Sequence, residues 1–284
     1  MRRFFKRSLL RPLAAITERW RQPPQRSTKR RLGRWEEGSY SNPKGALFYA
    51  PGLPPKRSYR LYLPSRYDGV AKLPLLVMLH GCRQDATMFA AGTRMNQLAD
   101  RENFLLLYPE QRRGANFHHC WNWFDPSTIT GNGEAALVAG MVREISKTHA
   151  VDRQRVYVAG LSAGGALANI LASLYGELFA ACAVHSGLPY RAADSLAEAR
   201  RAMQNGSQLP PEDAARQAMH FAKETCIRMP ALIIHGSDDE AVNPINADQL
   251  IGQFLHMAES VNPNAANDSA DIRRSITTGN MSDS

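Results

Sequence analysis

Residues 155–168 read Arg155-Val-Tyr-Val-Ala-Gly-Leu-Ser-Ala-Gly-Gly-Ala-Leu-Ala168. The segment begins as an apolar β-type run, passes through the Gly-x-Ser-x-Gly turn at 160–164, and continues as an Ala/Leu-rich helical pattern. This pattern, placed between a strand and a helix, is typical of a sharp turn that holds its serine in a strained backbone conformation. The two glycines allow the neighbouring strand and helix to approach closely. We therefore predict that the Ser162 hydroxyl stands at the carboxyl end of a strand, beside a helix N-terminus.

Strand-like and helix-like segments alternate on both sides of this turn. Most of the strand-like segments are continuous apolar runs, as expected of strands that are covered on both faces. The alternation predicts an α/β fold with a mostly parallel, doubly wound sheet and helices on both faces. The predicted strands are 58–63, 73–80, 104–108, 155–159, 179–184 and 231–235, and the predicted helices are 86–101, 133–149, 163–175 and 244–258.

One catalytic domain is predicted over residues 44–258, between a basic arm at 1–43 and a polar tail at 259–284. The domain contains an insertion over 188–228 that interrupts the alternation of strands and helices. Insertions of this size are often lids or binding loops, so the segment is a candidate lid. Two stretches of the insertion have a helical pattern, 192–203 and 211–223.

The net charge of +9 is concentrated near the N-terminus. Residues 1–34 hold 12 Lys or Arg and one acidic residue, whereas the rest of the chain is near neutral. Arg11 and Pro12 interrupt the weak apolar stretch in this segment, which makes it a poor secretory signal. We predict a solvated arm, and a weak contact with an anionic surface such as lipid or polymer is the alternative. No specific binding of nucleic acid is expected.

A loop with the sequence His80-Gly81-Cys82-Arg83-Gln84 follows the predicted strand 73–80. Attack by a serine on a carbonyl carbon creates an oxyanion, which needs N–H donors aimed at it. The predicted donors are the backbone N–H groups of Cys82 and Ala163, and His80 is expected to order the loop. Two alternatives remain open for the Cys82 thiol, which either stays free or is bonded to Cys120.

The turn that follows strand 231–235 is the position where we expect the acid of a catalytic triad in the chain order Ser, Asp, His. Asp239 fits this position best, and Asp238 is the alternative. Such an acid orients the imidazole of the base and stabilises its protonated form. The only histidine after Asp239 is His256, which falls in a helix-like segment, and His185 is interpreted as structural. No residue is therefore assigned as the base.

Taken together, these motifs resemble those of the polyhydroxybutyrate depolymerase-like esterases, which are α/β-hydrolases related to feruloyl and acetylxylan esterases. The resemblance covers about residues 44–258. It implies Ser162 as nucleophile, Asp239 as acid, Cys82 as oxyanion donor, and a substrate cleft lined by Trp121 and Trp123. It implies no metal or cofactor. The motifs are His80-Gly-Cys82, Tyr108-Pro-Glu-Gln111, Cys120-Trp-Asn-Trp-Phe124, Gly160-Leu-Ser-Ala-Gly164, His185-Ser-Gly187 and the turn 235–244.

The last part of that family's pattern, a Gly-His-Ala-Trp-type segment with the catalytic histidine, has no counterpart in residues 245–284. The C-terminal part of the fold is therefore expected to be missing, with the histidine beyond residue 284.

The function predicted is a serine-dependent carboxylic-ester hydrolase for short-chain hydroxyalkanoate polyesters or oligomers. The alternatives are a feruloyl or acetylxylan-type esterase, a catalytically impaired ester- or polymer-binding remnant, and a peptidase or thioesterase on the same scaffold. The resemblance implies an extracellular location, with a cytoplasmic one as the alternative.

Overall fold

The computed structural model describes residues 32–42, 56–116, 118–222 and 229–261. Its strands are β1 (Arg34–Ser41), β2 (Lys56–Leu63), β3 (Leu73–Leu79), β4 (Leu105–Pro109), β5 (Val151–Leu161), β6 (Ala181–His185) and β7 (Ala231–Ile234). Its α-helices are α1 (Ala86–Thr93), α2 (Met95–Glu102), α3 (Pro126–Ile129), α4 (Gly133–Thr148), α5 (Ala163–Leu174), α6 (Leu196–Asn205), α7 (Pro211–Ala222) and α8 (Ile245–Val261).

These strands form one sheet in the order β1-β2-β4-β3-β5-β6-β7. The pairings of β1 with β2 and of β2 with β4 are antiparallel, and every pairing from β4 to β7 is parallel. The parallel strands therefore end at the same edge of the sheet, where the loops that carry the predicted site residues begin. This arrangement confirms the predicted α/β-hydrolase fold.

Alternate residues of the central strands enter two different cores. Leu75 and Val77 of β3 join a large core built with α4, α5, α7 and α8. Met78 of β3 and Leu106 of β4 join a smaller core built with α1 and α2. Because successive side chains of a strand point to opposite faces, the sheet is covered by helices on both faces, as predicted.

The predicted arm at 1–43 is wrong at its C-terminal end. Residues 34–41 form β1, which pairs with β2 over its whole length, and residues 1–31 lie outside the described residues. This strand was not predicted because its sequence is polar and half exposed and lacks the apolar run of the other strands. Its stability comes from the antiparallel ladder and from Trp35, whose ring lies 5.1 Å from that of Tyr62.

The predicted helix over 86–101 is two helices. They meet at Arg94, which has φ 54° and serves as the C-cap of α1 and the N-cap of α2. The Thr93 hydroxyl donates to the Phe89 carbonyl oxygen (2.8 Å), a bond that competes with regular helix geometry. The other predicted helices and strands are present, and β5 begins at Val151, four residues before the prediction.

Helices α6 and α7 occupy the insertion, as predicted. The side chains of Ala214, Ala215, Ala218 and Ala222 are buried, and α7 packs against α5 and α8. This second helix is therefore part of the helical layer, and a lid role stays a prediction for the first part of the insertion only. Among the residues that the structure describes, no helix is long and apolar enough to cross a membrane.

Candidate active site

Ser162 lies in the turn between β5 and α5, with φ 55° and ψ −120°. Non-glycine residues rarely adopt a positive φ, so surrounding contacts must hold the backbone in this conformation. The Ser162 N–H donates a hydrogen bond to the carbonyl oxygen of His185 at the end of β6 (2.9 Å). A Cβ on Gly160 would lie 2.1 Å from the Gly164 carbonyl oxygen, so only glycine fits there. The predicted strained turn is therefore present.

The loop that follows β3 lies directly against this turn. A Cβ on Gly164 would lie 2.2 Å from the carbonyl oxygen of Leu79. From the other side, a Cβ on Gly81 would lie 3.4 Å from the carbonyl oxygen of Leu161. The two segments that are predicted to form the oxyanion hole are thus neighbours in the structure.

Cys82 and Ala163 carry the backbone N–H groups predicted to hold an oxyanion. Within the described residues, the Cys82 N–H has no hydrogen-bond acceptor. Ala163 is the first residue of α5, a position whose N–H has no acceptor inside the helix. Both donors are therefore available to a negatively charged oxygen, and the α5 N-terminus adds a favourable helix dipole.

His80 orders the loop that contains Cys82. Its ring is fully buried and its Nε2 accepts a hydrogen bond from the Gln111 N–H (3.1 Å). The proton must then be on Nδ1, which donates to the carbonyl oxygen of Gly81 (2.8 Å). Burial is the main cause that lowers the pKa of His80. A neutral ring with both nitrogens bonded fits the predicted ordering role.

A disulfide joins Cys82 to Cys120, with the two Cα atoms 4.2 Å apart. The structure thus resolves the alternatives that the sequence left open for the Cys82 thiol. The bond connects the loop after β3 to the long connection between β4 and α3. Among the described residues one free cysteine remains, the buried Cys182.

Asp239 lies in the turn after β7, with its carboxylate fixed by the backbone. Its Oδ1 accepts hydrogen bonds from the N–H groups of Ala241 and Val242, both at 3.0 Å. Asp238 is exposed and its carboxylate accepts no hydrogen bond from another described residue. Of the two candidates, the geometry supports Asp239 as the acid.

The environment of Asp239 favours the charged carboxylate. Burial alone raises the pKa, but the Val242 N–H, the Ser186 hydroxyl, the Ala241 N–H and the nearby His235 together bring the pKa below its usual value. The His235 Nε2 is 3.5 Å from Asp239 Oδ2 and donates to the Val242 carbonyl oxygen (2.7 Å). An ionised carboxylate in this place can stabilise a protonated imidazole.

In the part of the chain that the structure describes, no side chain that could act as a base is hydrogen-bonded to the Ser162 hydroxyl. All eight histidines of the chain are among the described residues, and none of them is bonded to the Ser162 hydroxyl. His256 lies on α8 with its side chain 45% exposed and contacts Glu259, in agreement with its interpretation as a helix-surface residue. His185 is exposed at the end of β6. The structure therefore assigns no triad histidine.

Trp121 and Trp123 are packed in the core. Trp121 is fully buried with its ring 5.3 Å from that of His80, and Trp123 is 5% exposed. The prediction that both indoles line a substrate cleft does not fit this arrangement, because neither presents its ring to solvent. A role of Trp121 and Trp123 in substrate binding therefore stays a prediction.

Sequence analysis did not predict a buried ion pair that lies beneath the loops. The Arg57 Nη2 lies 3.0 Å from the Glu134 Oε1, and both side chains are almost fully buried. Gln111 and Asn122 donate further hydrogen bonds to the same carboxylate. Gln111 and Asn122 lie in the motifs noted above, but no spacing rule links Arg57 to Glu134.

Comparison with known proteins relates this chain to esterases. The sequence model of a family described as Esterase PHB depolymerase matches residues 57–278. Poly(3-hydroxyalkanoate) depolymerase C of Paucimonas lemoignei is 37% identical over 190 residues, which are 66% of this chain and 45% of that protein. Feruloyl esterase B of Thermothelomyces thermophilus is 33% identical over 207 residues, which are 69% of each chain. The chain thus spans less than half of the first relative.

The fold has solved counterparts. The acetyl xylan esterase from Aspergillus awamori superposes with a TM-score of 0.66 over 78% of this chain and 80% of that chain, at 22% identity. At this identity the likeness concerns the fold alone, which it supports independently of the sequence motifs.

Proposed function

The chain belongs to the Esterase PHB depolymerase family, and on that premise we propose that it is a serine-dependent carboxylic-ester hydrolase. The observation that carries the proposal is the position of Ser162, held at φ 55° beside the free N–H groups of Cys82 and Ala163. This is the geometry in which a serine oxygen attacks a carbonyl and the new oxyanion is stabilised at once.

The proposed reaction has two halves. Ser162 Oγ attacks the ester carbonyl carbon, its proton passes to a base, and the alcohol leaves with that proton. Water then attacks the acyl-enzyme and releases the acid by the reverse proton transfers. Cys82 and Ala163 hold the oxyanion in both halves, and each donor contributes a few kcal/mol to transition-state stabilisation. Asp239 is the proposed acid behind the base.

We propose short-chain hydroxyalkanoate polyesters or oligomers as substrates. The depolymerase relative supports this class, and the feruloyl esterase relative supports an aromatic ester as the second candidate. Hydrolysis of 3-hydroxybutyrate oligomers and methyl ferulate at equal concentration would distinguish the two. A matched ester, thioester and amide of one acyl group would test the thioesterase and peptidase alternatives.

A second candidate function follows from the histidines. Among the described residues, no histidine side chain is hydrogen-bonded to the Ser162 hydroxyl, so the second candidate is binding of esters or polymer without cleavage. Hydrolysis of p-nitrophenyl butyrate by the purified chain, with Ser162→Ala as the control, separates the two functions. Activity that disappears in the variant supports the hydrolase. A folded but inactive chain that still binds polymer supports the binding protein.

The compartment proposed is outside the cell. The Cys82–Cys120 disulfide supports it, because such bonds persist in oxidising environments and are rare in the cytosol. Fractionation of the producing cells tests it, and a reduced, cytosolic protein would contradict it.

A weak contact of residues 1–34 with anionic surfaces is also proposed from their charge, and vesicle binding with and without that segment tests it.

A further inference from the structure

We propose that Glu134 is a positioning residue, whose buried carboxylate holds the β4–α3 connection and, through it, the oxyanion donor Cys82. The inference rests on the proposed ester hydrolysis for its effect on rate. Its structural content, that Glu134 fixes the position of the Cys82 loop, can be measured whether or not the chain is active.

Four donors converge on the Glu134 carboxylate, which is 4% exposed. Oε1 accepts from Arg57 Nη2 (3.0 Å), Gln111 Nε2 (2.6 Å) and Asn122 Nδ2 (3.1 Å). Oε2 accepts from the backbone N–H of Asn122 (2.7 Å). Three of the four donors belong to the β4–α3 connection, so the carboxylate binds this irregular segment more than it binds the surrounding helices.

Arg57 gives the carboxylate its counter-charge. The Arg57 side chain is 6% exposed, and its Nε donates to Gln111 Oε1 (2.8 Å). A buried ion pair is stable only when its remaining donors and acceptors are satisfied, which Gln111 and Asn122 do here. Glu134 also lies in the first turn of α4, where the helix dipole favours a negative charge.

Two routes lead from this cluster to the Cys82 loop. In the first, the Gln111 N–H donates to His80 Nε2, and His80 Nδ1 donates to the Gly81 carbonyl oxygen. In the second, Gln111 Nε2 donates to the Cys120 carbonyl oxygen (2.8 Å), and the disulfide connects Cys120 to Cys82. Both routes pass through Gln111, which Glu134 and Arg57 hold in place.

Replacement of Glu134 by Gln is the sharpest variant, because it keeps the shape and removes the charge. The new amide has one acceptor oxygen where the carboxylate has two, so its NH₂ group must face at least one of the present donors. If the NH₂ group takes the place of Oε2, the contact with the Asn122 N–H is lost. If it takes the place of Oε1, the contacts with Arg57, Gln111 and the Asn122 side chain are lost. The Cys82 N–H is expected to move away from the oxyanion as a result.

Asp100 provides a control at the other end of β2, near Tyr62. Its carboxylate accepts from the Tyr62 hydroxyl (2.8 Å), the Ser65 N–H (2.8 Å) and the Gly33 N–H (3.4 Å). Asp100→Asn therefore disturbs a partly buried carboxylate whose hydrogen bonds, among the described residues, go to Gly33, Tyr62 and Ser65 and not to the Cys82 loop. A general loss of stability would affect both variants alike.

The first measurement is hydrogen exchange at the backbone amides of Gln111 and Arg83. The Gln111 N–H donates to His80 Nε2, and the Arg83 N–H donates to the His118 carbonyl oxygen. Neither of these N–H groups is bonded to Glu134. We expect Glu134→Gln to speed exchange at both by at least about tenfold and Asp100→Asn to leave them unchanged. Equal exchange in parent and Glu134→Gln would overturn the proposal. A chain without esterase activity would end the proposed function but leave this comparison intact.

The second measurement is the rate of ester hydrolysis. Loss of one oxyanion donor typically lowers kcat by about 10²–10³-fold, so a displaced donor should lower it by roughly 10–100-fold with KM nearly unchanged. Because Glu134→Gln leaves Arg57 buried without its partner, we add the double variant Arg57→Met with Glu134→Leu, which removes both charges. We expect the double variant to regain the free energy of unfolding that Glu134→Gln loses. Its amide exchange should stay fast and its kcat should stay low. If stability, slow amide exchange and kcat all recover in the double variant, Glu134 contributes to stability only and does not position the Cys82 loop.

Discussion

Cys82 and Cys120 form a disulfide that ties the loop after β3 to the connection after β4, across a sequence separation of 38 residues. Because the Cys82 N–H is the proposed oxyanion donor, this bond constrains a reacting part of the site and not only the fold. Two predicted site segments are thereby held at one position at the carboxyl edge of the sheet.

Removal of this bond should weaken both stability and activity. A crosslink that closes a loop of this length typically stabilises a protein by about 2–4 kcal/mol. The variant Cys82→Ala with Cys120→Ala should lose about that much free energy of unfolding in urea, and its kcat should fall about tenfold. Dithiothreitol should destabilise the parent protein and leave the variant unchanged. An equal response of both proteins would contradict the prediction.

Gly164→Ala should disrupt the turn that carries Ser162. The added methyl group would lie 2.2 Å from the Leu79 carbonyl oxygen, a backbone atom that cannot move aside cheaply. Overpacking of this kind costs about 1–3 kcal/mol or more, and the displaced serine should lose most of its reactivity. Gly92→Ala is the control, because nothing lies within 4 Å of its added Cβ. We expect that control to be neutral or stabilising in thermal unfolding.

The elements that could be predicted from the sequence are those with a strong local signal. The turn around Ser162 follows from its glycines, and the parallel strands follow from their apolar runs. Asp239 was found because its turn directly follows β7. In contrast, β1 is a polar edge strand without a local signal, and it is recognised only from its pairing with β2 in the structure.

The parts of the site that escaped prediction depend on contacts between distant residues. Arg57 and Glu134 are 77 positions apart, one on β2 and the other on α4, and only the tertiary fold brings them together. The burial of Trp121 is also set by the tertiary fold. The motif alone does not determine whether its indole faces a cleft or the core. Such pairings are set by the tertiary fold, and neither local propensity nor spacing encodes them.

The outer strand β7 should tolerate changes that the central strands do not. Leu232 is 58% exposed, whereas Leu75 of β3 is fully buried. Leu232→Ala should change the free energy of unfolding by no more than about 0.5 kcal/mol, and Leu75→Ala should cost about 2–5 kcal/mol. Urea denaturation of the two variants measures this difference. A loss of similar size in both would show that β7 is covered in solution.

The carboxylate of Asp239 should make stability depend on pH in the acid range. Its pKa in the folded protein lies below the value of a free aspartate, so its stabilising contribution is complete above the unfolded pKa of about 4. The contribution is lost as the pH falls through the lower folded pKa, because the unfolded chain then binds the proton more readily. The gap in unfolding free energy between the parent and Asp239→Asn should therefore stay constant from about pH 7 to 5 and shrink below about pH 4. Asp238→Asn, which removes an exposed carboxylate of the same turn, is the control. A gap between the parent and Asp239→Asn that widens on acidification would mean that the Asp239 carboxyl is protonated more easily in the folded state.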